Sequence, residues 1–284
     1  MANQANYWAY GGFGAAVCLQ CFLVGAAAAA GPAVSAPNGS LDLRLGTGSN
    51  SAMVYGAGGT FSVPAGDSLG IQADFGIQNY DLLTGTAALH VFTRDPSTYL
   101  IGVTAGIVRS GVASLSAIGA EGELYVDRLT IGGWAGYAYL NYDLPAAPDS
   151  SGLFATGEVS FYPTDELRLS LGASSILGYK SVGIGAEFHP PGLALPLSLT
   201  ADARYGEDGR YSATAGVKVY FGAPDKSLLA RNREDDPPDR GLDLFMAAGT
   251  QATQRPAVAG DFTTEQACED AGFTWFFTSP EHCG

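Results

Sequence analysis

The chain has 284 residues, of which 46% are hydrophobic and only 15% are charged, and its formal net charge is −14. Soluble domains carry about 25% charged residues, so this composition is atypical of them. The excess of acidic over basic residues excludes nucleic acid as an expected partner. After the N-terminal segment, no apolar run reaches the roughly 20 residues of a membrane-spanning helix, so strands in lipid fit the composition better.

The first 36 residues are small and apolar, and the first charged side chain of the chain is Asp42. The tripeptide Val34-Ser35-Ala36 has the small-x-small pattern that signal peptidase prefers, which predicts a signal peptide over residues 1–36. Two features depart from the usual pattern, because no Lys or Arg precedes the apolar stretch and Pro37 would follow the cut. Cleavage after Ala30 and a retained N-terminal helix therefore remain alternatives.

From Asn38 to Phe221 the apolar residues recur at every second position, which is the period of a β-strand and not of a helix. In the first such stretch, Leu41 and Leu43 flank Asp42, and about twelve stretches of this kind follow one another. Lipid cannot satisfy backbone N–H and C=O groups, so a sheet that spans a membrane has to close on itself. We therefore predict an all-β chain with a transmembrane antiparallel up-and-down β-barrel of about 12 strands over residues 37–222. A soluble secreted β-protein is the alternative.

The connections between the predicted strands fall into two groups. Short, turn-rich segments lie at 64–67, 94–97, 126–128, 163–166 and 190–192, and longer polar segments lie at 141–152 and 174–180. In outer-membrane barrels the short turns are periplasmic and the longer loops are extracellular. An even number of strands puts both ends of the barrel on one side, so we predict that both are periplasmic. Aromatic residues cluster near the strand ends, as in the two interfacial girdles of such barrels.

The last predicted strand ends in a pattern of one polar residue, one glycine and two hydrophobic residues, formed by Thr214, Gly216, Val219 and Phe221. This pattern resembles the closing strand of outer-membrane β-barrels, which the barrel-assembly machinery recognises. Together with the Lys-Ser-Leu stretch at 226–228, it is similar to the end of porin-family outer-membrane β-barrel proteins of Gram-negative, alphaproteobacterial-type bacteria. The resemblance implies the barrel fold, the outer membrane, and lipid and the assembly machinery as partners. It assigns no functional residue.

If the apolar positions of the strands face lipid, the alternate positions line the barrel lumen, and these carry most of the charged side chains. Acids outnumber bases there, which indicates a narrow porin-like channel for small polar or charged solutes with a mild preference for cations. The alternative is a network of paired charges that plugs a small barrel, whose loops or periplasmic tail would then bind partners. The predicted lumen residues are Asp42, Arg44, Asp74, Glu121, Glu123, Glu158, Arg168, Glu187, Asp202, Arg204 and Lys218.

The histidines give little support for catalysis or metal binding, since His90, His189 and His282 are scattered along the chain. His90 falls on a lumen position. A hydrolase, as in the twelve-stranded outer-membrane phospholipase, would pair it there with a serine and a polar orienting residue. No serine of this chain stands in a matching motif. We therefore expect no catalytic residue, no metal and no cofactor, and a membrane-embedded hydrolase is the least favoured alternative.

After the last strand the chain changes character, with many charged residues and two adjacent prolines over residues 223–240. This composition predicts a solvated periplasmic linker over 223–261, with a short helix near 242–248. The segment 231–240 is the first candidate for contact with a periplasmic partner.

The four cysteines divide into two pairs. Cys18 and Cys21 lie within the predicted signal peptide and would be removed with it. Cys268 and Cys283 lie in the last segment, 262–284, which we predict to be a small tail closed by their disulfide. In an oxidising periplasm such a short loop is stabilised by about 3 kcal/mol.

Overall fold

The computed structural model describes residues 32–80, 82–111, 113–143, 149–192, 196–222, 225–237, 239, 266, 275–276 and 282–283. Twelve antiparallel strands form one closed barrel, in which each strand pairs with its neighbours in the chain and the first pairs with the twelfth. The predicted up-and-down barrel of about 12 strands is confirmed. The strands are β1 (Asn38–Gly48), β2 (Met53–Ala65), β3 (Leu69–Tyr80), β4 (Leu82–Asp95), β5 (Tyr99–Arg109), β6 (Ala113–Val126), β7 (Leu129–Tyr142), β8 (Ser150–Thr164), β9 (Leu167–Ile176), β10 (Tyr179–Phe188), β11 (Leu197–Gly206) and β12 (Tyr211–Phe221).

Few other elements are present among the described residues. A single 3-10 turn (Ser49–Ser51) joins β1 to β2, and one α-helix, α1 (Leu228–Glu234), follows the barrel. Further on, two-residue strands β13 (Trp275–Phe276) and β14 (His282–Cys283) pair with each other. Within this part of the chain, no helix is both long enough and apolar enough to cross a membrane.

Some of the sequence predictions fall outside the described residues. These are the signal peptide up to residue 31 with Cys18 and Cys21, the short helix near 242–248, and Cys268. The disulfide between Cys268 and Cys283 therefore stays a prediction.

The outer face of the barrel is apolar all the way round. Leu43 is 62% exposed and Leu153 is 77% exposed, and large apolar side chains from every strand share this face. They face one another across strands, as in the pairs of Leu43 with Val217 and of Leu171 with Ile184. A soluble protein rarely exposes a contiguous apolar surface of this extent, whereas the hydrocarbon of a membrane covers it.

The two ends of the barrel do not differ in loop length as the sequence predicted. The expected long loop at 174–180 is wrong, because β9 continues to Ile176 and β10 begins at Tyr179. Leu177 and Gly178 have φ of 50° and 89°, the left-handed values that a two-residue type I′ hairpin turn requires. At the other end, the expected short turn at 190–192 is part of the longer connection between Phe188 and Leu197.

The barrel closes at a seam where β12 pairs with β1. The four predicted assembly residues lie on β12 opposite Gly46, Arg44, Leu41 and Gly39. Phe221 is half exposed on the outer face, and Thr214 is buried inside. A β-carbon at Gly216 would collide with the backbone carbonyl oxygen of Leu43, so the seam requires glycine there. Recognition of this strand by the assembly machinery stays a prediction.

Part of the barrel interior is filled with apolar side chains, which the sequence reading did not foresee. The cluster comprises Val108, Ala113, Leu115, Ala117, Trp134, Ala138, Leu140, Phe154 and Ile176, all of them buried. At its centre the rings of Trp134 and Phe154 meet edge to face, with centroids 4.6 Å apart. These residues lie toward the barrel end that is opposite the start of β1, and there they narrow the lumen.

Both chain segments that flank the barrel fold back into its other end, where β1 begins and β12 ends; we call this the terminal end. Before β1, Ala33 and Val34 are fully buried against Phe92, Leu100 and Tyr125. After β12, α1 packs Leu228 against Tyr162 and Tyr220. We call the two segments, 32–37 and 225–237, the terminal clasp.

The prediction that 223–240 is solvated is therefore wrong for several of its described residues. Leu228, Arg231, Asp235 and Asp236 are all buried. Apolar and aromatic contacts, together with hydrogen bonds to the barrel wall, outweigh the preference of this charged segment for water. The chain enters the clasp through Gly222, whose φ of 101° favours glycine.

Candidate functional site

One side of the barrel wall carries a buried histidine between two carboxylates. His90 on β4 has its Nε2 2.7 Å from Oδ2 of Asp74 on β3, and its Nδ1 3.1 Å from both carboxylate oxygens of Glu121 on β6. The hydroxyl of Thr104 on β5 is 3.0 Å from the same Nδ1. The four strands are adjacent, and none of these side chains reaches solvent. An imidazolium that donates from both nitrogens satisfies both carboxylates through charge-assisted hydrogen bonds.

The lumen beside this cluster contains a polar cavity of about 140 Å³. Eight of the eleven predicted lumen residues line it, from β1, β6, β8, β9, β10, β11 and β12. They are Asp42, Arg44, Glu123, Glu158, Arg168, Glu187, Asp202 and Lys218.

The other three predicted lumen residues lie elsewhere. Arg204 lines a second, smaller cavity of about 70 Å³, which Asp202 also borders. Asp74 and Glu121 do point into the barrel, but they line neither of these two cavities because they are held by His90.

Three basic side chains of the main cavity are paired with acids. Arg44 Nη2 lies 2.7 Å from Asp42 Oδ2, and Lys218 Nζ lies 3.3 Å from Glu187 Oε2. The third pair is Arg168 with Glu158. Each pair therefore contributes no net charge to the cavity.

Asp202 is the exception among these charges. Its carboxylate is exposed to the lumen and makes no ion pair or hydrogen bond among the described residues. Arg204, two positions further along the same face, donates instead to the Ser181 hydroxyl at 3.3 Å. Asp202 is therefore a lumen carboxylate with neither a hydrogen bond nor an ion pair among the described residues, in a cavity whose bases are mostly paired with other acids.

The terminal clasp forms one wall of the main cavity, through Asn232, Asp236 and Pro237, and Asp239 just beyond the clasp also lines the cavity. Thr60 donates to Oδ1 of Asp236 at 2.6 Å, and Gln72 Nε2 donates to the carbonyl of Pro237 at 3.2 Å. Burial raises the pKa of Asp236 to about 6; the charge of Lys218 and the Thr60 hydrogen bond oppose this shift, and the charges of Asp74 and Glu187 add to it.

The helix of the clasp is anchored on the rim of the barrel. Asn232 Nδ2 donates to the Tyr162 hydroxyl at 3.0 Å, and Arg233 Nη2 donates to the carbonyl of Leu129 at 2.8 Å. The guanidinium of Arg231 stacks on the ring of Tyr220, 4.9 Å from its centroid. The side chain of Ser227 caps the helix by accepting from the backbone N–H of Ala230.

The sequence reading missed the clasp and the histidine cluster for different reasons. A charged, proline-containing stretch predicts a solvated linker. Its docking is apparent only in the structure, where Leu228 packs against Tyr162 and Tyr220. The partners of His90 come from strands far apart in sequence, so their pairing depends on strand register. Among the described residues, no group of His, Cys, Asp and Glu side chains is arranged to hold a metal ion.

No protein-family model and no curated protein matches the chain. Among solved structures it is similar to the KdgM porin in complex with disordered oligogalacturonate, at 10% identity over 64% of this chain and 99% of that chain, with a TM-score of 0.48. The NanC porin gives 11% identity over 63% and 98% of the two chains, with a TM-score of 0.47. The outer membrane protein Omp33 of Acinetobacter baumannii gives 10% identity over 65% and 98%, with a TM-score of 0.40.

The architecture of the chain itself defines its class. A closed barrel with an even number of strands, an apolar exterior and a charged interior is the form of bacterial outer-membrane proteins. The protein is an outer-membrane β-barrel of a Gram-negative bacterium. The predicted class and location are confirmed.

Proposed function

We propose that the barrel is a narrow porin-like channel that passes small polar or charged solutes with a mild preference for cations. The observation that carries this proposal is the polar lumen cavity in which Arg44, Arg168 and Lys218 are each paired while Asp202 is not. A cation that enters this lumen meets Asp202, a carboxylate with no ion pair or hydrogen bond of its own among the described residues. An anion meets bases that are already paired with acids, apart from Arg204, which lies beside Asp202.

The selectivity of single channels tests this role. The refolded barrel is inserted into a planar bilayer under a KCl gradient, and the reversal potential gives the ratio of cation to anion permeability. We expect Asp202→Asn to lower this ratio by a factor of about 2 to 5, since one carboxylate a few ångströms from the ion path is worth on the order of 1 kcal/mol in wet surroundings.

The matched control removes one carboxylate outside the lumen. Asp67→Asn makes the same charge change in the exposed turn between β2 and β3, and it should leave the ratio unchanged. Equal effects of the two substitutions, or a preference for anions in the unmodified channel, would refute the proposed cation pathway.

A second candidate function is supported by the terminal clasp. Because Asp236 and Pro237 hydrogen-bond to the lumen wall, the clasp narrows the passage at the terminal end. The barrel would then be plugged at rest, and its exposed clasp residues or loops would bind partners. Truncation after Gly222 separates the two roles: a channel already active in the full chain favours passage, and activity only in the truncated chain favours the plugged barrel.

We infer a non-catalytic role from the surroundings of His90. Both of its ring nitrogens face carboxylates, and its described hydrogen bonds go to Asp74, Glu121 and Thr104 and to no serine. A hydrolase needs the imidazole free to accept a proton from a nucleophile. Hydrolysis of phospholipid or ester substrates by the purified barrel, lost in His90→Ala, would overturn this inference.

A further inference from the structure

The segment just before β1 is packed as part of the folded barrel. Ala33 and Val34 are fully buried at the terminal end, in contact with Phe92, Leu100 and Tyr125. Gly70 on β3 leaves room for them, since a β-carbon there would lie only 2.7 Å from Cγ2 of Val34. The pocket therefore fits the side chain of Val34 and excludes a larger residue at position 70.

The next residue ties this segment to the other end of the chain. The backbone N–H of Ser35 donates to the carbonyl of Glu234 at 3.0 Å. Its hydroxyl donates to the Asp235 carboxylate and accepts from Lys226 Nζ at 2.8 Å. Lys226 in turn forms ion pairs with Glu234 at 2.9 Å and with Asp235 at 2.8 Å. Ser35 thus completes the polar network that holds the clasp together.

These contacts indicate where the signal peptide is cleaved from the chain. A cut after Ala36 would take away Ala33, Val34 and Ser35. It would leave an empty apolar pocket beside Gly70 and would deprive the buried Asp235 of one hydrogen bond. Lost packing and unpaired buried polar groups both destabilise a fold.

We propose that residues 33–36 belong to the mature protein and that signal peptidase hydrolyses the peptide bond between Ala30 and Gly31. Water supplies the hydroxyl of the new carboxyl group on Ala30 and the proton of the new amine on Gly31. Ala28-Ala29-Ala30 provides the small-x-small pattern that the enzyme requires. This position also removes the difficulty of a proline directly after the cut, because Gly31 follows it.

The mature N-terminus is then one half of the clasp. Its function is to fill the apolar pocket and to hold the C-terminal segment through Ser35. This conclusion is independent of solute selectivity, and it holds whether the barrel conducts or is plugged.

The identity of the first residue of the exported protein tests the proposed cleavage site. The full chain is expressed in a Gram-negative host and extracted from the outer membrane, and its N-terminal peptide is sequenced by mass spectrometry. We expect a chain that begins at Gly31. A chain that begins at Pro37, or one that retains Met1, would overturn the proposal.

Two matched substitutions sharpen the test. Ala30→Leu removes the small residue at the proposed site and should leave unprocessed precursor, whereas Ala36→Leu should leave the N-terminus at Gly31. The opposite pattern would place the cut after Ala36. Independently, Val34→Asp should lower the urea concentration at which the mature barrel unfolds. An unchanged midpoint would contradict a structural role for this segment.

Discussion

At the scale of single residues, the barrel interior pairs its charges with few exceptions. His90 joins Asp74 and Glu121, and three lumen bases each have an acidic partner. Two charged side chains stand out among the described residues, Asp202 in the lumen and Arg94 in the wall. The first is exposed to the lumen and suits a role in selectivity, whereas the second is fully buried.

Removing the histidine between two carboxylates should destabilise the barrel strongly. His90→Ala leaves Asp74 and Glu121 buried near each other without a positive charge, and breaking a buried ion pair costs about 3–5 kcal/mol. Urea unfolding of the refolded barrel measures the loss. His189→Ala is the control, since its ring makes no ion pair among the described residues and contacts only the Ser198 hydroxyl at 3.5 Å and the Tyr220 ring, 6.5 Å away between centroids. A loss of unfolding free energy no larger than that of the control would contradict this stabilising role of His90.

Removing the buried guanidinium should have the opposite effect. All three nitrogens of Arg94 lack a hydrogen-bond partner among the described residues; the guanidinium stacks on Phe92, 5.0 Å from its centroid, and interacts electrostatically with Tyr125. We expect Arg94→Met to raise the free energy of unfolding by about 1–3 kcal/mol, because an apolar side chain of similar length suits the site better. Arg168→Met, which breaks the pair with Glu158, should lower it. A marked loss in Arg94→Met would contradict this account.

At the scale of elements, the alternation of single strands could be predicted from sequence, but the contacts between elements could not. Period-two patterns place the lumen acids on the inner face, and eight of the eleven predicted residues line the main cavity. The same patterns treat Trp134 and Phe154 as ordinary lumen positions, although together they fill part of the interior. The docking of the clasp could not be predicted from sequence, because it depends on aromatic side chains of β8 and β12 that only the fold brings together.

The seam between the first and last strands gives an element-scale prediction. Gly216→Ala should impair closure, because the added β-carbon meets the backbone carbonyl of Leu43, which cannot move without breaking the β1–β12 pairing. Gly85→Ala is the matched control, since its nearest neighbour would be 3.9 Å away. Heat-modifiable mobility in gels reports closed barrel. Equal yields of closed barrel from the two variants would show that the seam tolerates a side chain.

Docking of the clasp should depend on pH through Asp236. Burial, together with the charges of Asp74 and Glu187, raises its pKa to about 6, although the charge of Lys218 opposes this shift. Because this acid binds its proton more tightly when docked than when free, docking is strongest below about pH 4 and weakens, by up to about 3 kcal/mol, as pH rises to about 6. We therefore expect the frequency of channel opening to rise over this range.

The matched variants for this pH effect lie in the same segment. Asp236→Asn cannot ionise, so it should keep the clasp docked and the opening frequency low and constant across the range. Asp225→Asn, at an exposed position, should behave like the unmodified chain. A pH dependence that persists in Asp236→Asn would assign it to another group.

At the scale of the whole molecule, an apolar exterior, a charged lumen and a clasp formed from both ends of the chain together describe a narrow passage that can be obstructed from one side. The lumen cavity lies between the apolar cluster at one end and the clasp at the other. Widening the terminal end should therefore increase the flow of ions. Truncation after Gly222 removes one wall of the cavity while keeping all twelve strands.

The most direct test of the proposed function is single-channel conductance of the full chain and of the chain truncated after Gly222, measured side by side under a KCl gradient. The account predicts discrete, cation-preferring steps in both, larger and more frequent in the truncated chain. Folded barrels that stay silent in both forms would contradict it.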